Sequence, residues 1–236
     1  MSNSYFRFKQ FTIHQDRCGM KVSTDACIQG AWAPILPGVK RVLDIGAGTG
    51  LLSLMLAQRN SEMTIDAIEL DDAAAAQAKE NVAASPWAER INVVQGDVKH
   101  YPFAAKYDIV VCNPPFFINS LQSDEAQRNN ARHDVTLSQE ELFVVLRNCL
   151  NDDGYAVVML PPVEHAAWQA LCEKNGWHVI QKLEVQPREG KEANRIISLC
   201  SRLKAELRSE VLAIKKADDS YTEAFTELLR PFYLFL

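Results

Sequence analysis

Residues 41–57 read RVLDIGAGTGLLSLMLA: a β-branched and aliphatic run, three glycines at alternate positions, then a leucine-rich stretch of helical composition. Glycine at every second position lets the backbone turn through left-handed conformations and come close to whatever lies above it. A helix that starts directly after such a turn presents its unpaired first-turn amides to the same place. Strand, glycine turn and helix in this order form the opening unit of a parallel α/β sheet.

The rest of the chain continues the alternation. Apolar runs predict strands at 41–45, 63–68, 91–95, 107–112, 154–160, 177–185 and 196–201, with helical patterns at 51–58, 73–84, 139–150 and 163–175. Asp71, Asp72 and Ser138 are N-cap candidates. The last two strands are separated only by residues 186–193, too few for a crossover to a parallel neighbour, so this pair is expected to be antiparallel. Residues 221–230 read as a helix, followed by the apolar tail PFYLFL, which must dock somewhere. Residues 113–137 carry no period, and a loop of that length in a compact domain is usually functional. The expectation is a single domain: a basic segment at 1–40, a catalytic core at 41–201 and an extension at 202–236.

Composition removes several function classes. No apolar run approaches the roughly 18 to 20 residues of a membrane span, and the start, MSNSYFR, lacks the apolar core of a secretory signal. A cytoplasmic location is expected. The six cysteines contain no C-x-x-C pair and the five histidines show no metal-ligand spacing, so no metal site is expected. The net charge of −5 is unevenly spread. Residues 1–41 carry six Lys/Arg against two Asp/Glu, and residues 188–216 eight against four, whereas residues 42–187 carry ten against twenty. An acidic middle with basic flanks suits a small-molecule site beside a rim that binds a polyanion.

Three predicted strand ends point to an adenosine. Asp44 precedes the turn of Gly46, Gly48 and Gly50, the next strand ends in Glu69, and the third ends in Gly96-Asp97. An acidic side chain in the Glu69 position can take both hydroxyls of a ribose, and the Asp97 carboxylate can accept from an adenine amino group. NAD and S-adenosylmethionine are the carriers to weigh. The turn has G-x-G-x-G spacing and lacks the glycine that opens to a pyrophosphate, so S-adenosylmethionine fits better. A phosphate-binding turn, or tight packing of helix on strand, is the simpler alternative.

The fourth strand, YDIVVC, runs into Asn113, Pro114, Pro115 and Phe116. In doubly wound sheets the carboxyl ends of the strands hold the ligands. Prolines stiffen the chain there and cannot donate, which leaves the Asn113 side-chain carbonyl and the Pro114 main-chain carbonyl free as acceptors. Two converging acceptors suit an amino group on a nucleobase or an amide. Holding both N–H bonds localises a delocalised lone pair toward an incoming methyl group, with no strong base needed beforehand. Phe116 offers a face for stacking the planar acceptor, worth roughly 1 to 3 kcal/mol per base.

With these residues in place the chain resembles the class I, Rossmann-like S-adenosylmethionine-dependent methyltransferases, in the branch whose motif is (D/N/S)-P-P-(Y/F/W). The resemblance spans about residues 24–201 and implies a seven-stranded, mostly parallel sheet with one antiparallel strand and helices on both faces. It places Asp44, Gly46, Gly48, Gly50, Glu69 and Asp97 on the cofactor, and makes Asn113, Pro114, Pro115 and Phe116 the catalytic motif. The segments FRFKQF, MKVSTD, GAW, RHD and the closing FYL extend the likeness to nearly the whole chain. They are similar to the tRNA1(Val) adenine-37 N6-methyltransferase family, although that family is associated with Arg-His-Glu where Arg132-His133-Asp134 stands here. This implies methylation of an adenine in the anticodon loop of a tRNA, a base already partly unstacked and cheap to extrude.

Asn-Pro-Pro-Phe also occurs in ribosomal RNA guanine-N2 enzymes, and the same chemistry serves protein glutamine N5-methylation, so the tetrapeptide does not choose the acceptor. Arg7, Lys9, Arg17, Arg188, Lys191 and Arg195 are candidate phosphate contacts, and Arg132 and His133 candidate RNA contacts after the catalytic motif. Lys21 and Thr24 are candidates for the methionine end of the cofactor, within a segment that could act as a lid. Oligomeric state is not legible.

Overall fold

The structure is a computed structural model that describes residues 3–114 and 137–236. Pro115, Phe116, Arg132 and His133 lie outside the described residues. The chain opens with a hairpin of β1 (Tyr5–Arg7) and β2 (Thr12–His14), followed by α1 (Thr24–Trp32). Then come β3 (Arg41–Ile45), α2 (Leu51–Arg59), β4 (Thr64–Glu69), α3 (Asp72–Ala83), β5 (Ile91–Gln95) and β6 (Tyr107–Cys112). After the undescribed segment follow α4 (Gln139–Cys149), β7 (Leu150–Leu160), α5 (Pro162–Lys174), β8 (His178–Arg188), β9 (Arg195–Ser201), β10 (Arg208–Lys215) and α6 (Glu223–Leu229).

The main sheet has the order β10-β8-β9-β7-β6-β3-β4-β5, with β9 alone antiparallel to its neighbours β7 and β8. The strand order therefore reverses between β3 and β6, at the crevice where doubly wound sheets bind ligands. Successive residues of each central strand enter opposite cores. Val42, Ile109, Val111, Val157 and Met159 face α1, α2, α3 and α6, while Leu43, Ile45, Val110, Cys112, Ala156 and Val158 face α4 and α5. Burial on both faces is why these strands read as unbroken apolar runs rather than alternating ones.

Seven strands sit close to their expected places; the sheet adds an eighth. β10 pairs in parallel with β8 at the edge, and it was illegible because it opens with the polar run Arg208-Ser209-Glu210 and buries only Leu212 fully. α1 was equally unanticipated, since a helix of nine residues starting inside a polar loop shows little period. Gly30 is where it packs most tightly: a Cβ there would lie 2.7 Å from Met55 Sδ and 3.0 Å from Met55 Cβ, so any larger residue would push Met55 of α2 aside. The helix caps follow sequence. Asp71 accepts from the Ala74 amide, and Ser138 with Glu141 forms a complete capping box.

The apolar tail docks on the N-terminal hairpin. The Lys9 amide donates to Phe232 O at 2.8 Å, and the Phe8 ring stacks on Phe11 at 4.4 Å and lies 5.9 Å from Tyr233. All six cysteines are free and buried. Among the described residues no helix is long and apolar enough to cross a membrane, and no cluster of His, Cys, Asp or Glu could hold a metal ion.

Candidate active site

The glycine turn joins β3 to α2 at the carboxyl edge of the sheet. Gly46, Gly48 and Gly50 all have positive φ, at 70°, 54° and 81°, a region that L side chains rarely adopt. Among the described residues, a Cβ built on Gly46 or Gly48 would meet nothing within 4 Å, so the turn is not packed against them there. The turn is tethered to β4: the Gly46 amide donates to Ile68 O at 2.9 Å and the Gly48 amide to Glu69 Oε2 at 2.8 Å. The other Glu69 oxygen, Oε1, accepts from the Asp71 amide at 3.0 Å.

Asp44, the penultimate residue of β3, is completely buried beneath the turn. Its Oδ2 accepts from the Ser53 amide at 3.1 Å and the Ser53 hydroxyl at 2.7 Å, while Oδ1 is buried with no hydrogen-bond partner among the described residues. Burial pushes its carboxyl up to about 6; the Ser53 donors oppose that rise and the nearby Glu69 charge adds to it. A buried carboxylate oxygen with an unused lone pair, next to an open glycine cradle, suits a cationic ligand. The donors, acceptors and open backbone here fit an adenosine cofactor that carries positive charge.

Asp97 lies one strand further along, where the Gly96 amide donates to Glu69 O at 2.9 Å. Its carboxylate caps the following 3-10 turn, with Oδ1 accepting from the Lys99 amide at 2.9 Å and Oδ2 lying 3.1 Å from His100 Nδ1. Both oxygens thus have local partners, and either can still accept once more.

Asn113 follows directly on β6, the strand beside β3 across the reversal point. Asn113 Oδ1 is buried and has no hydrogen-bond partner among the described residues. Leaving a buried amide oxygen unsatisfied costs roughly 1 to 3 kcal/mol, so this oxygen is available to a ligand donor in a way an exposed one is not. Pro114 is half-buried beside it.

Side chains that the sequence reading missed bring the N-terminal segment to this place. Asn81 of α3 accepts from the His14 amide at 2.8 Å and donates to His14 O and Thr49 O, each at 2.9 Å, binding hairpin, helix and glycine turn together. Gln77 takes the Arg17 amide at 3.0 Å and donates to Asp16 at 2.7 Å. Gln15 Oε1 closes the loop by accepting from the Val22 amide at 2.8 Å. Burial pushes the Cys18 thiol up to about 11, helped by the negative charges of Glu69 and Asp71, which places this loop beside the end of β4. Buried Asn and Gln on Ala-rich helices leave no sequence signal, because nothing in the spacing separates them from solvated polar residues. Lys21 is exposed on this loop, and Thr24 opens α1 after the N-cap Ser23.

The basic candidates scatter over this rim. Arg7 is exposed on β1 and Lys191 on the β8–β9 hairpin. The others have partners on the protein: exposed Lys9 donates to Arg230 O, exposed Arg17 pairs with Glu80, half-buried Arg188 pairs with Asp219, and half-buried Arg195 has its Nε 3.3 Å from Asp25 Oδ2.

A sheet reversing between β3 and β6, an open glycine turn tied to an acidic second strand end, and Asn-Pro after the fourth strand define a class I, S-adenosylmethionine-dependent methyltransferase. The methyltransferase small domain model matches residues 34–180. Sequences from Escherichia fergusonii and Shigella sonnei named tRNA1(Val) (adenine(37)-N6)-methyltransferase are each 42% identical over 234 residues, covering 98% of this chain and 95% of theirs. The chain belongs to that methyltransferase family. Among solved structures, a predicted O-methyltransferase from Agrobacterium tumefaciens superposes with a TM-score of 0.63 at 18% identity, covering 87% of this chain and 95% of the other. The glycopeptide N-methyltransferase MtfA in complex with S-adenosyl-L-methionine gives 0.56 at 15% identity over 79% and 97%. These two share the fold.

Proposed function

We propose that the protein methylates the N6 amino group of adenine 37 in tRNA1(Val), next to the anticodon, with S-adenosylmethionine as donor, in the cytoplasm. The observation that carries this reading is Asn113 Oδ1, a buried acceptor without a partner among the described residues, at the strand end beside the open glycine turn. The near full-length likeness to tRNA1(Val) adenine-37 methyltransferases selects the acceptor base.

In this reading the Gly46–Gly50 turn and the first amides of α2 hold the cofactor, Glu69 accepts from its ribose hydroxyls and Asp97 from its adenine amino group. Asp44 balances the positive charge at the methionine end, with Lys21 and Thr24 beside it. The cofactor supplies a methyl group on a positively charged sulfur. Asn113 Oδ1 and the Pro114 carbonyl accept the two N–H bonds of the adenine amino group and turn its lone pair out of the ring. Phe116 stacks on the base, and Pro115 stiffens the chain between them. No side chain need remove a proton first, because methylation itself acidifies the nitrogen and the proton can leave to water. Alignment of this kind contributes several kcal/mol to a barrier. Arg7, Lys9, Arg17, Arg188, Lys191 and Arg195 contact phosphates around the rim, and Arg132 and His133 touch the RNA after the catalytic motif.

The test is transfer of labelled methyl into unmodified total tRNA, ribosomal RNA and cell protein, followed by nucleoside analysis. Label in N6-methyladenine of one valine tRNA is expected. Label in ribosomal guanine or in protein glutamine would keep the chemistry and overturn the substrate.

A further inference from the structure

Gln29 is buried in the middle of α1, a helix whose other inward residues, Ala26, Cys27, Ile28 and Ala31, are apolar or sulfur-bearing. Its side chain does not serve the helix. Nε2 donates to Cys112 O at 3.0 Å and to Val157 O at 3.2 Å, bridging β6 and β7 from the α1 side of the sheet. The β6–β7 ladder ends one residue further on, at the pair Cys112↔Val158, while β7 continues with β9 alone to Leu160↔Ile196. The amide therefore sits where the two strands part, under the residue that precedes Asn113.

The orientation of this amide is fixed by chemistry. Flipped, it would set Oε1 against two carbonyl oxygens, all acceptors. In the orientation found, Oε1 is buried with no hydrogen-bond partner among the described residues. A chain gains nothing in stability from an unsatisfied buried oxygen in an apolar layer, whereas Leu or Met at this position would pack without that cost. The two donor bonds are the structural reason for glutamine.

We infer that Gln29 is a positioning residue for the catalytic motif, and this rests on the role given to Asn113 above. The carbonyl of Cys112 and the Cα of Asn113 belong to one rigid peptide plane. Anchoring Cys112 O therefore anchors the start of the Asn-Pro-Pro-Phe segment, and with it the direction of the Asn113 side chain. The second bond, to Val157, references that plane to β7, the strand held on its far side by β9. The next residue, Gly30, is where α1 presses on Met55 of α2, so Gln29 is carried on a packed helix and not on a loop.

The test compares the wild-type protein with Gln29→Met, which keeps length and removes both donors, and Gln29→Glu, which keeps the shape and, protonated in this buried setting, one donor. Hydrogen exchange in a peptide covering residues 107–114 reads the anchor without any turnover. Gln29→Met should accelerate exchange at its carboxyl end by on the order of tenfold or more, with α2 and β3 unchanged. Single-turnover methyl transfer should fall on the order of ten- to a hundredfold, with cofactor Kd within about twofold of wild type, and Gln29→Glu should lie between. Unchanged exchange in either folded variant overturns the inference. So does a loss of cofactor affinity in step with rate, which marks a residue of the general core. Normal anchoring by exchange combined with no wild-type transfer to any adenine would instead count against the proposed substrate.

Discussion

The Gly48 amide points at Glu69 Oε2 across 2.8 Å, so the glycine turn after β3 and the acidic end of β4 form one rigid unit before any cofactor arrives. Because Asp71 N–H holds the other carboxylate oxygen, Glu69 has one defined direction in which its remaining lone pairs can accept. A glutamine offers one acceptor to two amides and sets its NH2 against the other donor. Glu69→Gln should weaken cofactor binding by about 1.5 to 3 kcal/mol, roughly ten- to a hundredfold in Kd. Calorimetric titration with S-adenosylhomocysteine checks this, and an unchanged Kd contradicts the contact.

With Asp44 balancing the cofactor's charge as proposed, cofactor affinity should depend on pH. Its folded carboxyl is raised to about 6 from 3.8, so between these values the folded protein holds more protons than the unfolded chain. The apo protein's stability therefore falls as pH rises through this window and is flat above it, as far as this group is concerned. Cofactor binding has the opposite sign: a cationic ligand favours the ionised carboxylate, so affinity should be full above pH 6 and fall by up to about tenfold per pH unit below it. Asp44→Asn should flatten that profile, weaken binding at pH 7.5 and leave the apo melting temperature equal or higher. Binding titrations from pH 5 to 8 test both signs.

The framework was legible because the central strands are buried on both faces. Val42 to Ile45 and Ile109 to Cys112 carry no polar residue facing solvent, so each run marks its strand and its end. Strand ends in turn place Asp44, Glu69, Asp97 and Asn113 along one edge without any coordinates. The edge strand β10 and the helix α1 were hidden for the converse reason, as half-exposed elements whose polar residues break the pattern. The polar ties of the site were hidden too. Asn81 on Thr49 and Gln29 on Cys112 are long-range pairs between helix side chains and distant strands or turns, and their chemistry appears only when the elements meet. A charge count also gives no sign of the carboxylate partners that Arg17, Arg188 and Arg195 have in the fold.

Gly30 ties stability to this same geometry. A methyl group there would press on Met55 Sδ and Cβ, at 2.7 and 3.0 Å. Met55 is fully buried and can yield only by displacing α2 or its own side chain. Gly30→Ala should cost about 1 to 3 kcal/mol, read as a lowered denaturation midpoint. In a double-mutant cycle with Met55→Ala, itself destabilising because Met55 is fully buried, the two losses should sum to more than the loss of the double variant; a midpoint equal to wild type in the Gly30→Ala variant would show that α1 has slack.

The central claim is that Asn113 Oδ1, buried and unpaired among the described residues, receives the amino group that is methylated. Single-turnover methyl transfer to valine tRNA by Asn113→Ala, measured beside the cofactor Kd of the same preparation, tests it most directly. The expected result is a rate reduced on the order of a hundredfold or more with cofactor affinity within about twofold of wild type. A wild-type rate, or rate and affinity lost in equal proportion, would contradict it.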